Sequence, residues 1–162
     1  MKMDLIQPFI NAADAVLAPG LQCPMTIANL SMEGESYSPH GIAALVALSG
    51  DIEGRIIFDL DPNTASRIAS KFAGSDEPAS DALAQEAVCE LANQVIGNAV
   101  ATLNDQGFNF RVHPPQLHLA GQGTRITEDT EAVVLCFETG SGNVSMNIAL
   151  DYGATRVAAA GQ

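Results

Sequence analysis

Residues 81–104 read DALAQEAVCELANQVIGNAVATLN, an uninterrupted stretch without proline in which Ala84, Val88, Leu91, Val95 and Ala99 recur at three- and four-residue intervals. That period is the mark of a helix with one buried face. At 1.5 Å per residue the helix is about 36 Å long, enough to cross a small domain. It is preceded by a polar loop, Gly74 to Ser80, that contains Pro78, and it is followed by Asp105-Gln106-Gly107. Before the loop, Asp61-Pro62 starts a shorter helix that reaches about Phe72. Asp accepts hydrogen bonds from free helix N–H groups, and proline is preset for the first helical position.

Strands flank this helical centre. On the N-terminal side they run from about Met25 to Met32, Ile42 to Leu48 and Ile52 to Leu60, the last two joined by Ser49-Gly50-Asp51 as an antiparallel hairpin. Ile42 to Leu48 is apolar at every position, which suits a strand covered on both faces, by helices or by a partner subunit. On the C-terminal side Phe108, Phe110 and Val112 alternate with polar residues until Pro114-Pro115 interrupts, and Leu117 and Leu119 resume the apolar face. Glu131 to Glu138 and Asn143 to Asp151 form a second hairpin, with Val144, Met146, Ile148 and Leu150 turned inward and Ser145, Asn147 and Asp151 turned to water. A first helix, from about Asp4 to Leu17, ends at Pro19-Gly20. The order predicts an α+β fold, helices packed on one face of a largely antiparallel sheet, as a single domain over 1–155 with a fraying tail at 156–162.

Composition narrows the functions open to such a domain. The 162 residues suit one core, and nineteen acidic against seven basic residues give a net charge of −12 that repels nucleic-acid backbones and anionic membranes. Cys23, Cys89 and Cys136 are odd in number, widely spaced and set among apolar neighbours, as buried thiols of a reducing compartment are. No segment has membrane-spanning length, and the N-terminus leads into helically spaced residues; a soluble cytoplasmic protein is expected. His40, His113 and His118 are scattered, with no metal-ligand spacing. Gly121-Gln122-Gly123 precedes a strand and so reads as a turn, and no nucleophile elbow frames a serine.

One polar cluster remains that packing does not account for. Glu86, Glu90, Asn93 and Gly97 follow one another at spacings of four, three and four, on a second face of the long helix. An interior glycine costs about 1 kcal/mol relative to alanine, and asparagine is also a poor helix former. A carboxylate, a carboxamide and a gap at Gly97 can receive another protein closely. The same spacing also suits a solvated face, and spacing alone does not decide between them.

The wording of the stretch adds to this. Glu90-Leu91-Ala92-Asn93-Gln94-Val95-Ile96-Gly97-Asn98-Ala99, continued through Leu103 and then Phe110-Arg111-Val112-His113-Pro114-Pro115, resembles the CheX branch of the CheC/CheX/FliY chemotaxis phosphatases. Ile6-Gln7-Pro8-Phe9-Ile10-Asn11-Ala12-Ala13 is similar to the first helix of CheX proteins. A single E-x-x-N centre is present, as in CheX. Glu86 stands where family members commonly carry Asp or Ser, and Cys89 where Gly is usual. The resemblance implies a phosphatase that hydrolyses the aspartyl phosphate of a response-regulator receiver domain such as CheY. Asn93 would orient the attacking water and Glu90 would pair with the receiver's active-site lysine, with Glu86 and Gly97 on the docking face. It implies no cofactor of the chain's own, Mg2+ being supplied by the receiver, and a homodimer joined through edge strands. The competing expectation is a non-catalytic adaptor that binds a receiver or a flagellar-switch partner.

Overall fold

Short connections between apolar strands leave them little choice but to pair with their neighbours, and the sheet grows from two such hairpins. The computed structural model describes residues 3–21, 26–33, 36–121, 126–127 and 132–151. Its elements are α1 (Met3–Leu21), β1 (Thr26–Glu33), β2 (Ser36–Tyr37), β3 (Ile42–Gly50), β4 (Glu53–Leu60), α2 (Pro62–Phe72), α3 (Asp81–Asp105), β5 (Phe110–Val112), β6 (Gln116–Leu119), β7 (Ile126–Thr127), β8 (Ala132–Thr139) and β9 (Gly142–Asp151). The main sheet has the order β1-β8-β9-β4-β3-β5, with β6 also paired to β3; β2 and β7 make a separate ribbon. Every pairing among these strands is antiparallel.

Register aligns the inward side chains into rows. Ala44, Phe58, Met146 and Leu135 face one another across β3, β4, β9 and β8, and so do Val46, Ile56, Ile148 and Val133. All eight are buried in the main core together with Ala84, Val88, Leu91, Val95 and Ala99 of α3. α3 packs against α1 and α2 and over β3, β4, β5 and β6, so the longest helix is also the one fixed from most sides. Its start is capped by Ser80, whose Oγ accepts from the Leu83 N–H at 3.3 Å. Its end is clamped to the sheet, where Asn104 Oδ1 accepts from the Phe110 N–H at 2.9 Å.

Several sequence expectations change in detail. α1 continues through Pro19-Gly20 to Leu21. The missing proline N–H deprives one carbonyl of its intrahelical partner, while packing against α3 holds the helix together. At its other end the helix starts at Met3, one residue before the expected Asp4, which sits inside the first turn. The strand expected from Phe108 starts at Phe110, and the two prolines split it into β5 and β6, which pair with opposite halves of β3. The second face of β9 is not wet at its centre. Asn147 is buried, and the Arg55 guanidinium donates to its backbone carbonyl at 3.0 Å and to its side-chain carbonyl. Ala43 and Ile57 are fully enclosed on that same face, with Leu45 partly so, in keeping with the doubly apolar run. Beside them Asp59, also buried, accepts from the His40 and Gly41 N–H groups at 2.7 and 2.9 Å, tying down the entry to β3. Gly41 is held there because a Cβ would meet the Leu60 carbonyl oxygen at 2.1 Å. The expected tail at 156–162, Cys23, Met25 and the Gln122-Gly123 part of the proposed turn lie outside the described residues.

Candidate functional site

On α3 the inward positions are set by the core, and whatever remains is presented outward. Glu86, Glu90, Asn93 and Gly97 are all exposed, and they share one outward stripe as their spacing predicts. Glu90 and Asn93 are separated by about 4.5 Å along the axis. Gln94 Nε2 donates to Glu90 Oε1 at 3.0 Å, an i,i+4 pair that steadies the carboxylate. The Asn93 carboxamide has no hydrogen-bond partner among the described residues, so its donor and acceptor both point to solvent. A Cβ added at Gly97 would meet nothing within 4 Å among the described residues. Packing therefore gives no reason for the glycine.

The neighbourhood limits the chemistry. Cys89, between Glu86 and Glu90 in sequence, packs partly against the core, and burial raises its thiol above the ordinary range. It is thus poorly placed to act as a thiolate nucleophile at this face. Cys136 is half-buried, and burial together with the charge of Glu138 raises its thiol too. Both are more exposed than the buried thiols expected from sequence. His113 Nε2 lies 2.9 Å from Ser49 Oγ at the sheet edge, but no carboxylate among the described residues hydrogen-bonds its other ring nitrogen, so no triad forms there. His118 is half-buried on β6 and His40 is exposed ahead of β3. Among the described residues no group of three His, Cys, Asp or Glu could hold a metal ion, and no helix is long and apolar enough to cross a membrane.

A carboxamide and a carboxylate on the convex side of a helix cannot surround a small substrate. They can complete a site that another molecule brings. The sequence reading missed one member of the face: Leu83, seven residues before Glu90, is 54% exposed on the same stripe. Its heptad spacing to Glu90 was the available signal.

Comparisons with known proteins bear on this geometry. The family described as chemotaxis phosphatase CheX matches residues 42–139, a range that contains all of α3. A CheY-P phosphatase CheX from Thermotoga maritima is 27% identical over 104 residues, which is 64% of this chain and 63% of the relative. The match thus spans less than two thirds of that curated relative's length. In the structure of the CheX-CheY-BeF3-Mg2+ complex from Borrelia burgdorferi, the matching chain is 31% identical, with 93% of this chain and 99% of that one covered and a TM-score of 0.68. A CheC-like superfamily protein from a Shewanella species shares the fold at TM-score 0.79 and 20% identity, over 93% of this chain and 99% of that one.

Proposed function

Because the chain belongs to the CheX family of chemotaxis phosphatases, we propose that it hydrolyses the aspartyl phosphate of a CheY-like receiver domain, with Asn93 as the catalytic residue and Glu90 as the docking residue. The observation that carries this reading is the outward stripe of α3, where a carboxamide without a hydrogen-bond partner among the described residues and a carboxylate stand beside a glycine that packing among those residues does not require.

An aspartyl phosphate is an activated acyl phosphate. Its hydrolysis requires a water held in line with the leaving carboxylate, and positioning supplies much of the rate. A carboxamide both donates and accepts hydrogen bonds and stays neutral, so Asn93 can hold that water beside the phosphoryl anion, where a carboxylate would be repelled. The Mg2+ that balances phosphoryl charge is assigned to the receiver. Glu90 pairs with the receiver's active-site lysine and supplies docking affinity. Glu86 adds a second acid to the docking face, and the gap at Gly97 lets the partner's backbone approach. The reading carries a cytoplasmic location and a two-component pathway with it.

The direct experiment follows phosphate loss from CheY-like receivers phosphorylated with acetyl phosphate, with and without the chain. Accelerated loss is expected. Binding to the phosphorylated receiver without acceleration would replace this reading with the adaptor. A homodimer joined through edge strands belongs to the same proposal, and β1 and the β5-β6 pair end the described sheet on its two sides. A monomer in sedimentation equilibrium at micromolar concentration would remove that part.

Gly97 offers a separable test of close approach. Gly97→Ala has room for its methyl and should stabilise the protein by about 0.5–1 kcal/mol in urea denaturation. The same change should raise KM for the phosphorylated receiver several-fold. Greater stability with an unaltered KM would mean that the glycine has no part in docking.

A further inference from the structure

Leu83, Phe72, Val112 and Leu117 are large hydrophobic side chains that stay exposed among the described residues. Val112 and Leu117 lie on the outermost strands, in register with Leu48 and Ala44, and Phe72 ends α2. Leu83 differs in its alignment. Seven residues turn a helix to within about 20° of two full revolutions and advance it about 10 Å, so Leu83 stands directly in line with Glu90 on the outward stripe.

Its place in the helix makes the exposure more telling. Ser80 is the N-cap, so Leu83 occupies the third helical position. The Ser80 hydroxyl accepts from the Leu83 N–H, which is one half of a capping box. The other half needs Glu or Gln at that third position, reaching back to the backbone N–H of the cap. A leucine leaves it unmade, and at 54% exposure its side chain gains little from packing in return. Local helix chemistry and burial both favour another residue there.

Resting on the receiver-phosphatase reading above, we infer that Leu83 is the apolar anchor of the receiver-docking surface. The argument is one of continuity with the Glu90–Asn93 face. That face is otherwise polar, with Glu86, Glu90, Asn93, Gln94 and Asn98 exposed along it. Protein interfaces of ordinary size bury on the order of 800 Å² on each partner, and their binding energy concentrates in a few large side chains shielded from water. A patch of that area reaches from Asn93 to Leu83, which supplies the contact that the polar residues cannot. The occupant is the receiver domain, seated with its phosphorylation site at Asn93 and an apolar surface about 15 Å away along α3.

Leu83→Gln tests this without adding charge and with the capping box completed; Leu83→Met keeps an apolar side chain. Two quantities are measured for each: the kinetics of dephosphorylation of a CheY-like receiver, and Kd for the same receiver loaded with Mg2+ and beryllofluoride. Leu83→Gln is expected to raise KM and Kd about tenfold, with kcat within about twofold and Tm no lower than wild type. Leu83→Met should restore most of the affinity. KM and Kd within about twofold of wild type would overturn the assignment, as would a fall in Tm, which would make Leu83 structural. Loss of a self-dimer in the glutamine variant would give the residue to a second copy of this chain and overturn it equally. Wild-type binding without turnover would sink the phosphatase reading and leave Kd to decide on Leu83; wild-type failure in both assays would sink both.

Discussion

Asn93→Ala is expected to reduce the dephosphorylation of a CheY-like receiver to nearly the receiver's own rate, a loss on the order of 100-fold or more in kcat. The magnitude follows from what the side chain is asked to do. Removing one preorganised hydrogen-bonding group at a reacting centre typically costs 10²–10³ in rate, and here positioning of the water is the chain's whole chemical contribution. The fold should not register the change. Asn93 is exposed and has no hydrogen-bond partner among the described residues, and alanine is the better helix former. Affinity for the receiver loaded with beryllofluoride should stay within about threefold, because docking rests on other residues. Asn93→Asp is the more searching variant, since it keeps the shape and one acceptor but adds a charge beside the phosphoryl group. It should be no more active than alanine. Equal rates for wild type and Asn93→Ala would end the catalytic assignment.

Glu90→Lys should instead weaken docking, with KM and Kd raised at least 30-fold and kcat at saturating receiver largely kept. Removing one member of a charge pair that is buried and hydrogen-bonded in an interface costs about 2–5 kcal/mol, as expected for Glu90 once the receiver covers it, and reversal adds repulsion against the receiver's lysine. At about 1.4 kcal/mol per tenfold, the lower limit already corresponds to about 30-fold. Among the described residues of the free protein, Glu90 gives up only its hydrogen bond from Gln94, an exposed i,i+4 contact of a few tenths of a kcal/mol. Global unfolding is therefore not an alternative cause, and circular dichroism melts would check it. Glu86→Lys, one turn earlier, serves as the comparison: a smaller rise in KM would locate the lysine at Glu90. If Glu90→Lys binds the receiver as tightly as wild type, the carboxylate has no docking role.

The split between these two variants reflects how the face could be read. Local pattern was enough for α3 because Ala84, Val88, Leu91, Val95 and Ala99 are buried and the four residues of the polar stripe are exposed, as a 3.6-residue period requires. Local pattern was misleading where long-range contacts overrode it. Asn147 alternates with inward apolar residues and so looked solvated, yet Arg55, 92 positions away in the chain, encloses and hydrogen-bonds it. Leu83 escaped notice for the opposite reason. A leucine at a helix start reads as core unless its heptad spacing to Glu90 is counted, and the packing of α3 against α1, α2 and the sheet leaves that side of the first turn uncovered.

By itself, then, the sequence determined the three helices and the longer strands, the antiparallel hairpins, the shared face of Glu90, Asn93 and Gly97, and the family resemblance that gives them roles, while the short β2-β7 ribbon was not legible in it. Each of these depends on residues close together in the chain, where backbone geometry and short connections leave few alternatives. Tertiary structure decided which strands neighbour one another, that β5 and β6 share β3, that the far face of the sheet is enclosed around Arg55 and Asn147, and that none of the described residues packs at Gly97. Those outcomes depend on contacts between segments tens of residues apart. Burial is a property of the whole assembly, so a residue's exposure, and with it the outward stripe of α3, exists only once every other element is in place.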